Sequence, residues 1–212
     1  MKIKSLALVL SMVFVITALI LGTTAYLTDT AGVINTFTVG DVTIHLDEAK
    51  VDENGVPIPG AQRVAGNSYH LIPGRSYTKD PTVTVQAESV ESYVRMVVTI
   101  SCYKELCAIF GDPFLPQNFV SGWDPDLWVT TGEIVVDEVA NTGSYEFRYC
   151  APVAGGAEGV TLDALFDTIT VPETMTGTQL KTIAELQIHI EAHAIQKSGF
   201  QTADAAWAAF LK

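Results

Sequence analysis

Basic residues are scarce in this chain. Twelve Lys and Arg stand against 24 Asp and Glu in 212 residues, a formal net charge of −12 at pH 7. Nucleic acids and anionic membrane surfaces are recognised by clustered Lys and Arg, so this balance argues against both as partners. Cysteine is nearly absent. Cys102, Cys107 and Cys150 make an odd number, so at least one thiol is unpaired or pairs between chains. A Cys102–Cys150 or Cys102–Cys107 bridge is open in an oxidising setting. The plainer expectation is small buried hydrophobes, and the spacing does not make a zinc site. The helical zinc-peptidase motif, two His four apart with Glu directly after the first, is missing. So is a phosphate-cradling glycine loop, since Gly155-Gly156 and Gly159 lack the strand-to-helix context. No Ser or Cys has a recognisable nucleophile motif around it. There is no internal repeat, no low-complexity tract and, after residue 21, no apolar run long enough to span a bilayer.

What is present begins at the N-terminus. Met1–Lys4 supplies two lysines, Ser5–Leu21 is an almost unbroken apolar run, and Gly22-Thr23-Thr24-Ala25 follows. A basic start, an apolar stretch and small residues at the break describe a secretory signal peptide. Thr23 and Ala25 suit the −3 and −1 pockets of a signal peptidase, which predicts cleavage between Ala25 and Tyr26. The alternative is an uncleaved membrane anchor, since the apolar run nearly spans a bilayer. Cleavage leaves residues 26–212, 187 residues with a net charge of −14, because the leader holds two of the basic residues and no acid. That length suits one domain of ordinary core capacity.

Beyond the leader the hydrophobic period is mostly two. Val42, Ile44 and Leu46 alternate with Thr43 and His45. Val94, Met96, Val98 and Ile100 oppose Tyr93, Arg95, Val97 and Thr99. Tyr145, Phe147 and Tyr149 alternate with Glu146 and Arg148, and Leu186, Ile188 and Ile190 with Gln187, His189 and Glu191. This is the pattern of half-buried strands. Asn54-Gly55 reads as a tight hairpin turn, and Pro73-Gly74, Gly111-Asp112-Pro113 and Gly155-Gly156 mark further loops. Two short helices are predicted, Tyr103–Phe110 closed by Gly111 and Thr202–Leu211 capped by Thr202 or Asp204. Asp112–Asp126 reads as an insertion loop. The fold class is all-β, an antiparallel β-sandwich with one or two short helices.

Several blocks resemble the TasA/camelysin family. The leader ends in Leu21-Gly22-Thr23-Thr24-Ala25-Tyr26-Leu27-Thr28-Asp29, and Asn35-Thr36-Phe37-Thr38-Val39-Gly40-Asp41-Val42 follows. Leu71-Ile72-Pro73-Gly74 with Thr78-Lys79-Asp80 is similar to the family's Leu-x-Pro-Gly turn and next strand. Leu165-Phe166 with Val171-Pro172, and Glu191-Ala192-His193-Ala194-Ile195-Gln196 with Gly199-Phe200 and Ala205-Ala206-Trp207, resemble later elements. The matches run in order over most of the chain. The resemblance implies a jelly-roll sandwich, secreted or held at the surface of a Gram-positive bacterium. It also implies a leader cut by a dedicated signal peptidase of the endoplasmic-reticulum type. Members build extracellular fibres of the biofilm matrix, and some carry a metallo-endopeptidase label.

Two function classes follow as expectations. In the first, Tyr26–Phe37 is a free strand that completes the open sheet edge of a neighbouring copy. Such a contact is heterologous and propagates into a fibre, with other matrix or cell-wall proteins as further partners and no cofactor. The alternative for this segment is a strand folded back on its own sheet. In the second, His189, Glu191 and His193 project from one face of a strand and hold zinc or copper for a camelysin-like endopeptidase. Without a ligand, the same triad is an ordinary polar strand face. The acids around Asn54-Gly55 (Asp47, Glu48, Asp52, Glu53) read as a solvated hairpin rather than a calcium loop. Trp123, Trp128 and Trp207 read as packing residues, with Asp112–Trp128 as a candidate binding surface in a third class, a surface-binding module.

Overall fold

The computed structural model describes residues 41–210. The expected leader, the Ala25–Tyr26 cleavage point and the donor segment Tyr26–Phe37 lie outside the described residues. Among the described residues ten strands form: β1 (Ile44–Asp47), β2 (Ser76–Thr78), β3 (Thr82–Val85), β4 (Ser92–Ser101), β5 (Val120–Ser121), β6 (Trp128–Asp137), β7 (Thr142–Tyr149), β8 (Val160–Thr161), β9 (Thr168–Thr170) and β10 (Ile188–Gln196). All their pairings are antiparallel. One layer is the sheet β10-β4-β7-β6, and two three-stranded sheets, β1-β3-β8 and β2-β9-β5, make the other. The two small sheets are nearly continuous. Between β2 and β3 the chain still hydrogen-bonds to the segment joining β8 and β9, through Lys79 N to Asp167 O and Leu165 N to Pro81 O, both 3.0 Å. Pro81 has no N–H to give, which is where the ladder breaks.

The fold is thus an all-β antiparallel sandwich. The chain crosses between layers after β3, β4, β5, β7 and β9, wiring of the jelly-roll kind. The period-two strands bury the faces that their alternation predicts. Val94, Met96, Val98 and Ile100 of β4 share one core with Tyr145 and Phe147 of β7, and Tyr77, Val83, Val85 and Ile169 face them from the second layer.

Three helices are described: α1 (Tyr103–Phe110), α2 (Gly177–Thr182) and α3 (Ala203–Phe210). The first and third lie where the composition predicts them. Thr202 caps α3, its Oγ1 accepting from Ala205 N at 3.2 Å. The start of α1 is capped from elsewhere, because Cys102 lies in the left-handed region (φ 55°) and its side chain makes no cap bond. Asn141 of the β6–β7 turn supplies the acceptors instead, its carbonyl to Tyr103 N and its Oδ1 to Lys104 N. Helix α2 is not among the helices expected from the sequence, although its signal is legible: Thr176 and Gln179 form a reciprocal capping box.

Two expectations need correction. The stretch Asp112–Asp126 is not only a loop, because β5 lies within it and pairs with β9. Phe114 and Phe119 bury themselves against the core just before the two-residue strand, which lies at a sheet edge. Cys150, expected among small buried hydrophobes, is exposed, while Cys102 and Cys107 are half-buried and all three are free thiols. Cys150 directly follows the last residue of β7, with its N–H bonded to Leu127 O at 2.8 Å.

Candidate functional site

The outer face of the four-stranded sheet gathers the charged side chains of β4, β7 and β10 that alternate with their apolar residues. Register places His193 opposite Arg95 and Arg95 opposite Arg148, in one row across β10, β4 and β7. The next rows run Glu191–Val97–Glu146 and His189–Thr99–Ser144. Two arginines directly opposed across antiparallel strands repel, and Glu146 resolves this. Its Oε2 accepts from Arg95 Nη1 at 2.9 Å and its Oε1 from Arg148 Nε at 2.6 Å. Asp204 of α3 adds a second carboxylate to Arg148.

Helix α3 lies on this face and covers the row. The Arg95 guanidinium carbon stands 4.4 Å from the Trp207 ring centroid and 5.1 Å from that of Phe210. Aromatic faces attract the cation, which leaves Arg95 only 4 % exposed on a face where alternation predicts solvent. Phe210 also packs on the His193 ring, centroids 5.0 Å apart. Trp207 Nε1 is buried with no hydrogen-bond partner among the described residues.

The predicted triad does share one face of β10. Glu191 lies between the histidines, its Oε1 3.3 Å from His189 Nε2 and its Oε2 4.0 Å from His193 Nε2. The chemistry around His193 is nevertheless unfavourable to a cation. Its Nδ1 accepts from Arg95 Nε at 3.3 Å, and arginine can only donate. A neutral His193 therefore carries its proton on Nε2, the nitrogen facing Glu191. Burial holds its pKa below the usual histidine value, and the Arg95 charge adds to that. Among the described residues, no group of three His, Cys, Asp or Glu gathers closely enough to hold a metal ion.

The other sequence candidates resolve into structural roles. The Asp52 carboxylate accepts from Asn54 N and Val56 N, both at 2.9 Å, so this acid closes the Asn54-Gly55 turn. Glu48 forms a buried pair with Lys79 at 2.5 Å, and Asn67 donates to its other oxygen at 2.8 Å. Trp123 Nε1 donates to Trp128 O at 2.7 Å, and Trp128 Nε1 to Asp163 O at 2.9 Å. Both indoles pack edge-on against β7, on Phe147 and Tyr149.

A feature that the sequence analysis does not predict is a cleft of about 560 Å³ at one end of the sandwich. It lies between the loop Asn67–Leu71 and the stretch from Leu180 to Ile188. No periodicity marks it, because its walls come from segments more than a hundred residues apart in the chain.

Comparison of the chain with family models, with curated proteins and with solved structures returns no match.

Proposed function

We propose that this chain is a secreted structural protein of the cell surface or biofilm matrix, similar to the TasA/camelysin proteins, which assembles into fibres by donating residues 26–37 to the next copy. The observation that carries this reading is the state of the sheet edges. Among the described residues, β10 and β6, nine and ten residues long, each pair along one side only. Long unpaired edges are templates for an incoming strand. On β6, Val129, Val135 and Val136 stand exposed, and Glu133 and Asp137 are the only charges. The leader places a new N-terminus directly before the donor segment. The working partners are then other copies, the dedicated signal peptidase that frees Tyr26, and further matrix or cell-wall proteins.

Negative-stain electron microscopy of Tyr26–Lys212 beside a form starting at Thr38 tests this. Filaments from the first and monomers from the second are expected. Filaments from both would keep the structural role and discard strand donation. Monomers from both, over a range of pH and concentration, would overturn self-assembly.

A further inference from the structure

The cleft beside Asn67–Leu71 has two chemically distinct parts. Its floor is aliphatic and aromatic, with Phe119, Leu180, Leu186 and Ile188. Its mouth carries His70 and Lys181, both exposed. Fifteen residues line it and none is Asp or Glu, in a chain with twice as many acids as bases. The other lining lysine, Lys79, is occupied by the buried Glu48 carboxylate. The ion pairs among the described residues leave His70 and Lys181 without a carboxylate. The floor also continues inward. Phe119 and Ile188 form one wall of a small, wholly apolar void between the two layers. The cleft's volume falls in the range of about 300–1,000 Å³ usual for small-molecule sites.

From this we infer that the cleft binds a small amphiphile with an anionic head and an unbranched apolar tail, such as a medium-chain carboxylate. The head sits at the mouth against Lys181 and His70. The tail lies along Leu180 and Leu186 and runs toward Phe119 and Ile188. The driving force is burial of the tail against the side chains of the floor. The choice of head is electrostatic: an acid-free mouth with the Lys181 ammonium and the His70 imidazole favours a carboxylate over an ammonium of the same tail. This inference is independent of strand donation, because the cleft is complete within residues 67–188.

Calorimetric titration of the chain, exported with its own leader and purified, tests it. The probes are dodecanoate, below its micelle concentration, and dodecyltrimethylammonium, which has the same tail and the opposite charge. Saturable one-to-one binding of dodecanoate is expected, at least about tenfold tighter than the cation. Ala184 and Lys181 are exposed, so Ala184→Trp and Lys181→Glu leave the core intact. Ala184→Trp, which fills the cleft, should abolish binding, and Lys181→Glu should erase the preference for the anion. Absence of saturable binding, equal binding of both heads, or affinity unmoved by Ala184→Trp would each overturn the inference. Displacement of dodecanoate by a Tyr26–Phe37 peptide would reassign the cleft to a neighbouring copy's strand.

Discussion

At the residue scale, the buried Glu48–Lys79 pair is costly to break. Both side chains are buried, and Asn67 satisfies the remaining Glu48 oxygen. Removing one charge leaves the other unpaired where water cannot reach it. Glu48→Gln should therefore cost about 3 kcal/mol, read as a lower urea midpoint at unchanged slope. The double change Glu48→Leu with Lys79→Met should recover most of that loss, because it removes both desolvation penalties. His193 gives a pH signature. Its folded pKa lies below the ordinary value, near 6.5 for an unperturbed imidazole. The unfolded chain thus binds a proton that the folded chain refuses. The stabilising contribution is complete above about pH 6.5 and is lost as pH falls through the folded pKa. In thermal melts from about pH 7.5 down to 5.5, wild type should lose melting temperature relative to His193→Asn, whose profile is the flatter.

At the element scale, α3 acts as a cover for charge. It buries Arg95 on a face that strand alternation alone would leave wet, and it does so with Trp207 and Phe210. Trp207→Ala should destabilise by about 3 kcal/mol through lost burial, and native-state hydrogen exchange should show α3 protection falling before that of β4. Edge strand β6 is the opposite case, since little covers it. A lysine on an exposed edge discourages pairing. Val135, 69 % exposed, is the place to put it, and Val135→Lys should reduce association in light scattering without moving the melting temperature. The hairpin joining β6 to β7 also shows how elements depend on one another. Asn141 in its turn caps α1, more than thirty residues earlier in the chain.

At the scale of the whole molecule, charge opposes assembly. Residues 26–212 carry a net charge of −14, and like-charged copies repel over the Debye length. That length is about 30 Å at 0.01 M salt and about 8 Å at 0.15 M. If copies assemble by sheet edges, the rate of filament growth followed by light scattering should rise steeply between these two ionic strengths. A rate independent of salt would place the contact away from the acidic surface. Layer wiring belongs to this scale too. The chain changes layers five times among the described residues, so most core contacts join distant segments, and folding is expected to be slow for the chain's size.

Much of the fold class was legible along the chain. Alternation at Val94–Ile100 and Tyr145–Tyr149 defined strands and their buried faces, because a pleated strand turns every second side chain the same way. The helices at Tyr103–Phe110 and near Thr202 were legible from local propensity and caps. The triad's shared face on β10 was legible for the same periodic reason. The surroundings of those residues were not. That Arg95 would meet His193 and share Glu146 with Arg148 depends on the register of three strands, which no local pattern encodes. That Lys79 would find Glu48 and that two remote segments would enclose a cleft are likewise results of long-range packing. The sequence by itself determined the strands around Ile44, Val94–Ile100, Tyr145–Tyr149 and Ile188–Ile190, which of their faces turns inward, and the sign of the net charge. Only the tertiary structure decided which charges neutralise one another, because that depends on distances across the sheet rather than along the chain.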